Sequence, residues 1–372
     1  MNFTISKQAF GNALAIVGHA VSSSSPQPYL RGIYIEASGN ELVLTGSNAD
    51  ISIQKKVIAD DENKLNIVDE GSILMEASYL NEIVKKLDAD IISVEIIDGS
   101  LTRFAGSEAV FKINGMNTND YPKIDFSKPM SSISMPASLL LEIIDQTTFA
   151  ASTKETKPVL TGVNFHLADN VLKCTATDSY RLAKKTLDFK SDADFNITIP
   201  SKSLNEVRST MLADAENIEI AQNDKKAQFW SEDMVLQTRL LDGGYPETDR
   251  LIPSEFTQKL TINRNDLIHA IDRTIFIKTD NITVDRLILS ADELVLTNKS
   301  QEIGESTERL NGKYEGEPID ISFTGPYVME ACKVLHGDTV NVNFTGYMKP
   351  IIITCDDDPS VLHLILPVRT YN

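Results

Sequence analysis

Residues 40–46 read NELVLTG and residues 292–298 read DELVLTN, with NVLKCT at 170–175 in the corresponding place between them. Each is a strand-like run, and self-similarity at a long period fixes architecture before any single motif is weighed.

The likeness extends outward from that strand. Each copy opens on a short alternating strand that runs into a helical stretch. The first is Phe3-Thr4-Ile5, then Ser6 and a helix through Phe10, Leu14 and Val17. The second is Ile133-Ser134-Met135, then Pro136 and a helix through Leu140, Ile143 and Ile144. The third is Leu260-Thr261-Ile262, then Asn263 and a helix through Leu267, Ala270 and Ile271. Ser6 and Asn263 suit an N-cap, and Pro136 suits a first helical turn. A second helix follows the quoted strand in each copy, over 76–87, 201–211 and 326–335, and short strands come next at 92–97, 218–220 and 340–344. Copies one and two close alike, on Asn119-Asp120-Tyr121-Pro122 and Gly243-Gly244-Tyr245-Pro246. Equivalent positions recur about 120–130 residues apart, a domain length and too long for a solenoid repeat. The expectation is an α+β chain of three tandem domains, 1–128, 129–256 and 257–372, divided in Pro/Ser-containing stretches. Two β-rich domains can share an opening hairpin by chance, but here strand, helix, strand and second helix recur in one order.

The chain has 372 residues, 42% of them hydrophobic, enough to bury several cores. No stretch approaches ~20 uninterrupted apolar residues. The start, MNFTISKQAF, lacks the basic flank and apolar core of a signal peptide. Cys174, Cys332 and Cys355 are odd in number and far apart, which implies neither a disulfide framework nor a metal site. A cytoplasmic chain fits these features. The net charge of −18 by itself argues against nucleic acid, whose binders are usually basic. The distribution is uneven, however. Lys85, Lys86, Lys202, Arg208 and Lys333 fall on the second helices, and Lys7, Arg264, Arg273 and Lys278 on or beside the first ones. Acid collects at 60–62, 214–216, 302–308 and 356–358. Basic helices on one side could face a polyanion. Charge alone favours the plainer reading, solubility with lysines placed by helix propensity.

No Gly-rich phosphate loop or G-x-S-x-G turn is present. The five histidines lack metal-ligand spacing. Asp356-Asp357-Asp358-Pro359 does not have calcium-loop spacing and reads as a solvated hairpin. Neither a catalytic residue nor a metal or other cofactor is expected, and a scaffold fits better than an enzyme. Three segments stand out: Thr175-Ala176-Thr177-Asp178-Ser179-Tyr180-Arg181-Leu182-Ala183, the stretch 239–253, and the apolar tail Leu362–Tyr371. The first two combine turn formers with an arginine beside a large apolar residue, which an ordinary salt-bridged turn would also explain. Termini fray unless docked, so the tail is expected to pair into a sheet.

Together ATDSYRLA at 176–183, LLDGGYPETDRLIP at 240–253 and LILPVRTY at 364–371 resemble the family of bacterial sliding clamps, the beta subunits of DNA polymerase III. KPVLTG at 157–162 and EIG at 302–304 are in the style of its Gram-positive branch. The resemblance covers the whole chain. It implies three clamp domains, each with two helices packed under antiparallel sheet, and two chains joined head to tail into a six-domain ring. Double-stranded DNA threads the ring without regard to sequence, the helices line the hole, and a separate clamp loader opens it. Such a ring needs only a mildly basic lining, because tight phosphate contacts would impede sliding. Lys85, Lys86, Lys202 and Arg208 are the expected DNA-facing residues. The family often has a basic residue near position 24, where this chain has Ser22-Ser23-Ser24-Ser25.

The resemblance also implies one peptide-binding pocket per chain, for the replicative polymerase, the loader, other polymerases and repair proteins. Its walls would be Thr177, Ser179, Tyr180, Arg181 and Leu182, then Pro246, Arg250 and Leu251, then Leu364, Leu366, Val368 and Arg369. Lys157, Val159 and Leu160 would lie nearby, with Met348 and Pro350 at one edge. Arg181, Arg250 and Arg369 would hold an acidic group of the peptide or stack on Tyr180 or Tyr245. The homodimer contact would join first domain to third through Phe111, Phe276 and Ile277, with edge strands pairing across the joint. Glu302, Glu305 and Glu308 would offer one side of an ion-pair set, although Glu108 stands where a basic partner is often found. Rival readings are a cation-dependent surface hydrolase or binding module built on Asp356–Asp358, and a clamp paralogue devoted to repair.

Overall fold

The three quoted runs become the strands Glu41–Ser47, Val171–Thr177 and Leu294–Ser300. The computed structural model describes residues 1–369, so Thr370, Tyr371 and Asn372 of the ending lie outside the described residues. Six α-helices occur among these residues, two per repeat: α1 (Lys7–Gly18), α2 (Ala77–Lys86), α3 (Ala137–Thr147), α4 (Ser201–Thr210), α5 (Arg264–Asp272) and α6 (Gly325–Lys333).

The starts of α1 and α5 follow from their caps. Ser6 Oγ accepts the Ala9 N–H at 3.2 Å, and the Asn263 side chain accepts those of Asn265 and Asp266 at 2.9 and 3.1 Å. Pro136 departs from expectation. It ends the strand Ser131–Pro136, opposite Asn217, and α3 begins one residue later at Ala137, whose N–H donates to Glu216 O. A proline tolerates this strand end because it has no N–H to place. The helix ends are tied as well. Lys7, the first residue of α1, donates from Nζ to the carbonyls of Lys85 and Leu87 at the end of α2. Arg264, the first residue of α5, does the same to Leu335 O just beyond α6, at 2.7 Å. A cation at a helix C-terminus satisfies carbonyls that lack an intrahelical partner. These two basic residues are therefore engaged by their own domains.

Among the described residues all strand pairs are antiparallel, in four sheets. The chain divides into two compact units, Met1–Leu140 with Ser203–Leu240, and Leu141–Lys202 with Leu241 onward. The first unit holds a five-stranded sheet and an eight-stranded one. In the eight-stranded sheet, Ile51–Ile58 of the first repeat pairs with Met234–Arg239 of the middle repeat, Lys55 opposite Met234. The second unit repeats the device. Arg181–Asp188 of the middle repeat pairs with Asp358–Ile365 of the last, Leu182 opposite Leu364, within a nine-stranded sheet, and a four-stranded sheet completes the unit. The first part of the tail, Leu362–Ile365, thus docks as the end of a strand, whereas 366–369 lie beyond it.

The first and last helix pairs each cover apolar sheet. In the first repeat, Phe10, Leu14 and Val17 of α1 and Leu80 and Ile83 of α2 are buried with Phe3 and Ile5 of the opening strand, and the rings of Phe3 and Phe10 meet edge to face at 6.1 Å. In the last repeat, Leu267 and Ile271 of α5 and Val328 and Cys332 of α6 share one core with Leu260, Phe323 and Phe344. Gly46 is required where α1 presses on the sheet, because a Cβ there would lie 2.3 Å from Val17 O.

Candidate functional site

The turn that follows Val171–Thr177 is built by its own side chains. Asp178 Oδ1 accepts the N–H groups of Tyr180 and Arg181 at 2.9 and 3.0 Å. Thr177 Oγ1 accepts the Ser179 N–H and donates to Arg181 O. Ser179 takes a left-handed φ of 78°. The first repeat makes the same turn. Asn48 Oδ1 accepts from Asp50 and Ile51, Ser47 Oγ accepts from Ala49 and donates to Ile51 O, and Ala49 has φ 79°. The turn is therefore scaffold common to two repeats. What differs is the residue it delivers: Ile51 in one copy, Arg181 in the other.

Arg181 does not reach solvent as a peptide anchor. Its guanidinium donates to Asp178 Oδ2 at 3.1 Å, to Phe149 O at 2.6 Å and to Glu330, and it stacks on Tyr327 at 4.3 Å and Phe149 at 5.3 Å. The rings beneath Arg181 are thus Tyr327 and Phe149 rather than Tyr180 or Tyr245, and its acidic partners in this structure are Asp178 and Glu330. Three of the five N–H donors of this planar cation are used here, tying the middle repeat to α6 of the last. Tyr245 is itself half-buried, and burial pushes its phenol up.

Behind the turn lies an apolar row across strands. Leu182 stands opposite Leu364, and Leu364 opposite Ile352. The three form one buried cluster, with Ile252 and Leu362 packed against it. Leu182 and Leu364 thus form a floor rather than exposed walls, Leu182 being only 2% exposed. Above them the chain leaves large apolar groups in solvent: Tyr180 is 60% and Leu251 56% exposed, and Leu366 and Tyr347 are also exposed. Leu366 N–H donates to Tyr180 O at 2.9 Å and Val368 N–H to Ser322 O at 2.7 Å, which fixes the tail over this region. Arg250 and Arg369 are exposed and Pro246 lies at the surface. Met348, with φ 59°, occupies the turn before Ile351–Cys355, and Pro350 follows it, half-buried. Thr177 is buried in its turn and Ser179 exposed at the apex. Lys157, Val159 and Leu160 ride on the turn before Gly162–Ala168, where only Leu160 is buried.

Sequence reasoning missed the groups that hold this site together. Lys173 and Lys184 converge on Asp249, at 2.9 and 2.5 Å, and their hydrogen bonds hold its carboxyl at about 2, below the usual carboxylate range. Lys185 is buried beneath the sheet, donating to Gln146 Oε1 at 2.7 Å and Ser360 Oγ at 3.0 Å, with Glu142 and Asp358 at 3.4 and 3.6 Å. His363, on the neighbouring strand, is 1% exposed, and neither ring nitrogen has a partner. Burial pushes it down to about 3. None of these partners is close in sequence, so no spacing rule reveals them. Asp358 is not a purely solvated hairpin residue. Its carboxylate accepts from Gln146 and Ser360 and faces Lys185, which leaves it poorly placed for a cation. No group of three or more potential metal ligands occurs among the described residues.

The basic residues singled out on the second helices are exposed. Lys85 and Lys86 are in the last turn of α2, Lys86 with Glu82 at 2.7 Å, and Lys202 and Arg208 are at the two ends of α4. A cavity of about 690 Å³ between α1 and α2 is lined by Lys7, Asn12, Asn81 and Lys85 among others. Phe111 lies on Ala109–Asn114, an edge strand, and Gly304–Arg309 is an edge strand of the four-stranded sheet. Phe276 is 64% exposed, but Ile277 is 3% exposed and cannot offer its side chain to a partner. The turn closing α5 sends Phe276 outward and Ile277 inward, where Asn298 Nδ2 donates to its carbonyl. Of the acidic set, Glu308 accepts two hydrogen bonds from Arg273, at 2.8 and 2.9 Å, and Glu305 lies 3.9 Å from Lys299. No helix is long and apolar enough to cross a membrane among the described residues.

Three family models match along the chain: the N-terminal domain of the DNA polymerase III beta subunit over 1–125, its central domain over 134–247 and its C-terminal domain over 249–369. The beta sliding clamp of Bacillus subtilis (strain 168) is 37% identical over 378 residues, covering 100% of each chain. The crystal structure of the DNA polymerase sliding clamp from Bacillus subtilis superposes with a TM-score of 0.95 at 36% identity, and that of the DNA polymerase beta subunit from Streptococcus pyogenes with 0.95 at 32%. Both cover 100% of this chain and of the other.

Proposed function

The chain belongs to the DNA polymerase III beta subunit family, the beta sliding clamps, and from that membership we propose that it is a processivity factor that encircles duplex DNA and tethers DNA-processing proteins to it. The observation that carries this reading is the end-to-end match of a threefold repeat, with no part of the chain left to another fold. It acts without catalysis, as a cytoplasmic protein of the nucleoid. Its three domains divide near 128/129 and 256/257. Two chains join head to tail, the edge strands Ala109–Asn114 and Gly304–Arg309 pairing across each joint with Phe111 and Phe276 beside them.

The charge fits such a role. A topological link holds without tight contact, so Lys85, Lys86, Lys202 and Arg208 serve as a mildly basic lining in a chain whose overall net charge is −18. The peptide pocket consists of the Leu182–Leu364–Ile352 floor with Tyr180, Leu251, Leu366 and the neighbouring proline and methionine residues above it. Short segments with leucine or phenylalanine anchors fit it, each anchor gaining ~1.5–3 kcal/mol on burial. Two or three anchors together with strand-like hydrogen bonds give binding on the order of micromolar, about 8 kcal/mol, which lets partners exchange.

Retention on DNA tests the central claim. Loaded onto nicked circular duplex, the protein should stay bound through a gel-filtration column, and it should be lost once the circle is cut. Equal retention on circle and linear DNA would mean adhesion in place of encirclement.

A further inference from the structure

Between Pro246 and Pro253 the chain makes a single turn of 3₁₀ helix, Asp249–Leu251, and this turn carries the exposed Arg250 and Leu251. So short an element has little stability of its own. Its internal bonds are two, Leu251 N–H to Thr248 O at 3.0 Å and Ile252 N–H to Asp249 O at 3.3 Å. Two outside anchors hold it. After the turn, Ile252 packs on the Leu182–Leu364–Ile352 floor. At its start, Asp249 is gripped by Lys184 through Oδ1 at 2.5 Å and by Lys173 through Oδ2 at 2.9 Å. Both lysines stand on one face of the hairpin formed by Val171–Thr177 and Arg181–Asp188. Lys184 is opposite Thr175, and Lys173 lies two residues along from Thr175. Leu182 shares that face, two residues from Lys184. The clasp and the floor are therefore built on the same sheet surface, with Arg250 and Leu251 suspended between their two holds.

We propose that Asp249 is a positioning residue for the peptide site: its two lysine partners fix the Arg250–Leu251 rim over the floor before a peptide arrives. This rests on the reading of that surface as the peptide pocket. A rim ordered in advance leaves the peptide less ordering entropy to overcome. The ion pairs of both lysines go to Asp249, so the effect passes through its carboxylate.

The test uses the full-length protein and a blocked, uncharged peptide bearing leucine and phenylalanine side chains, titrated by fluorescence anisotropy. Asp249→Asn should weaken binding about three- to tenfold, the range expected for losing two partly exposed ion pairs. Lys173→Met with Lys184→Met should match it, and Asp249→Glu should recover most of the loss. Raising salt from roughly 0.05 M to roughly 0.5 M should weaken the parent toward the Asp249→Asn value and leave that variant nearly unchanged. Leu251→Ala, run alongside, reports on the pocket itself. Should Leu251→Ala abolish binding while Asp249→Asn stays within about twofold of the parent, the positioning role is overturned and the pocket stands. Unchanged affinity in both variants overturns the pocket reading as well. A loss in Asp249→Asn that Asp249→Glu does not recover, with a lowered unfolding midpoint, would show damage to the fold and also overturn the role.

Discussion

His363 shows how a single side chain can be set by its surroundings against its chemistry. It stands between Ala183 and Ile353 on neighbouring strands, its ring edge-on to Phe149 at 5.2 Å, with Arg181 and Asp358 as the charges it senses. Desolvation dominates and holds it neutral down to about 3. The unfolded chain takes up that proton near the ordinary histidine value of about 6.5. Below that pH the unfolded state binds the extra proton, so stability should decline as pH falls from about 6.5 toward 3, by up to about 1.4 kcal/mol per pH unit. Between pH 5 and 6.5 the lowered carboxyls such as Asp249 lie above their ordinary value of about 4, while the buried Asp285 carboxyl, raised by desolvation, contributes with the opposite sign, so the difference in urea midpoint between the parent and a His363 variant reads this group. His363→Gln should flatten the profile in that window. An unaltered slope would mean that the imidazole charges without penalty. Arg181 teaches a related lesson. The sequence marks it by its place in a turn motif, but Phe149, Tyr327 and Glu330, which decide what it does, are 32 to 149 positions away in the two cases for which hydrogen bonds form.

At the scale of elements, the local signals were the more legible. Ser6 and Asn263 cap as their identities dictate, because an N-cap needs only residues two or three positions along. The paired turns at Ser47–Ile51 and Thr177–Arg181 are likewise closed by side chains within four residues. The engagement of Lys7 and Arg264 was not legible, for a physical reason: a basic residue reads as a surface charge until the carbonyls beside it are known. Lys7 is engaged at the end of α2 through residues 78 and 80 positions away. Lys7→Met should therefore cost about 1 kcal/mol of stability, as for loss of one charge-assisted cap. Retention on circular DNA at moderate salt should be unchanged. A variant of normal stability that slips from DNA would place Lys7 among the polyanion-facing groups instead.

For the molecule as a whole, each compact unit has a sheet that runs unbroken across a repeat boundary, at Lys55–Met234 in one and Leu182–Leu364 in the other. Edge strands remain at Ala109–Asn114, which carries the half-buried Phe111, and at Gly304–Arg309, whose Glu308 bonds Arg273 near the exposed Phe276, and an unpaired edge is a ready template for another chain. Phe276→Asp should then shift the sedimenting species from about twice 41.1 kDa to a single chain, with the dimer weakened about a hundredfold or more, since each of two joints loses a buried ring worth ~1.5–3 kcal/mol. Ile277→Ser should instead lower the unfolding midpoint, because that side chain is already inside its own domain. A dimer unaffected by Phe276→Asp would remove this residue from the joint.

The order of strands and helices, the three repeats, the caps at Ser6 and Asn263 and the strand pairing of Leu362–Ile365 were determined by the sequence alone. Each depends on periodicity or on partners a few residues away, and such information survives in a linear string. Which arginine is buried, which of Phe276 and Ile277 faces out, and which charges clasp the rim were decided only by the tertiary structure. Those outcomes depend on side chains brought together from strands and helices far apart in the chain, where burial and charge pairing are properties of the packed assembly and of no single segment.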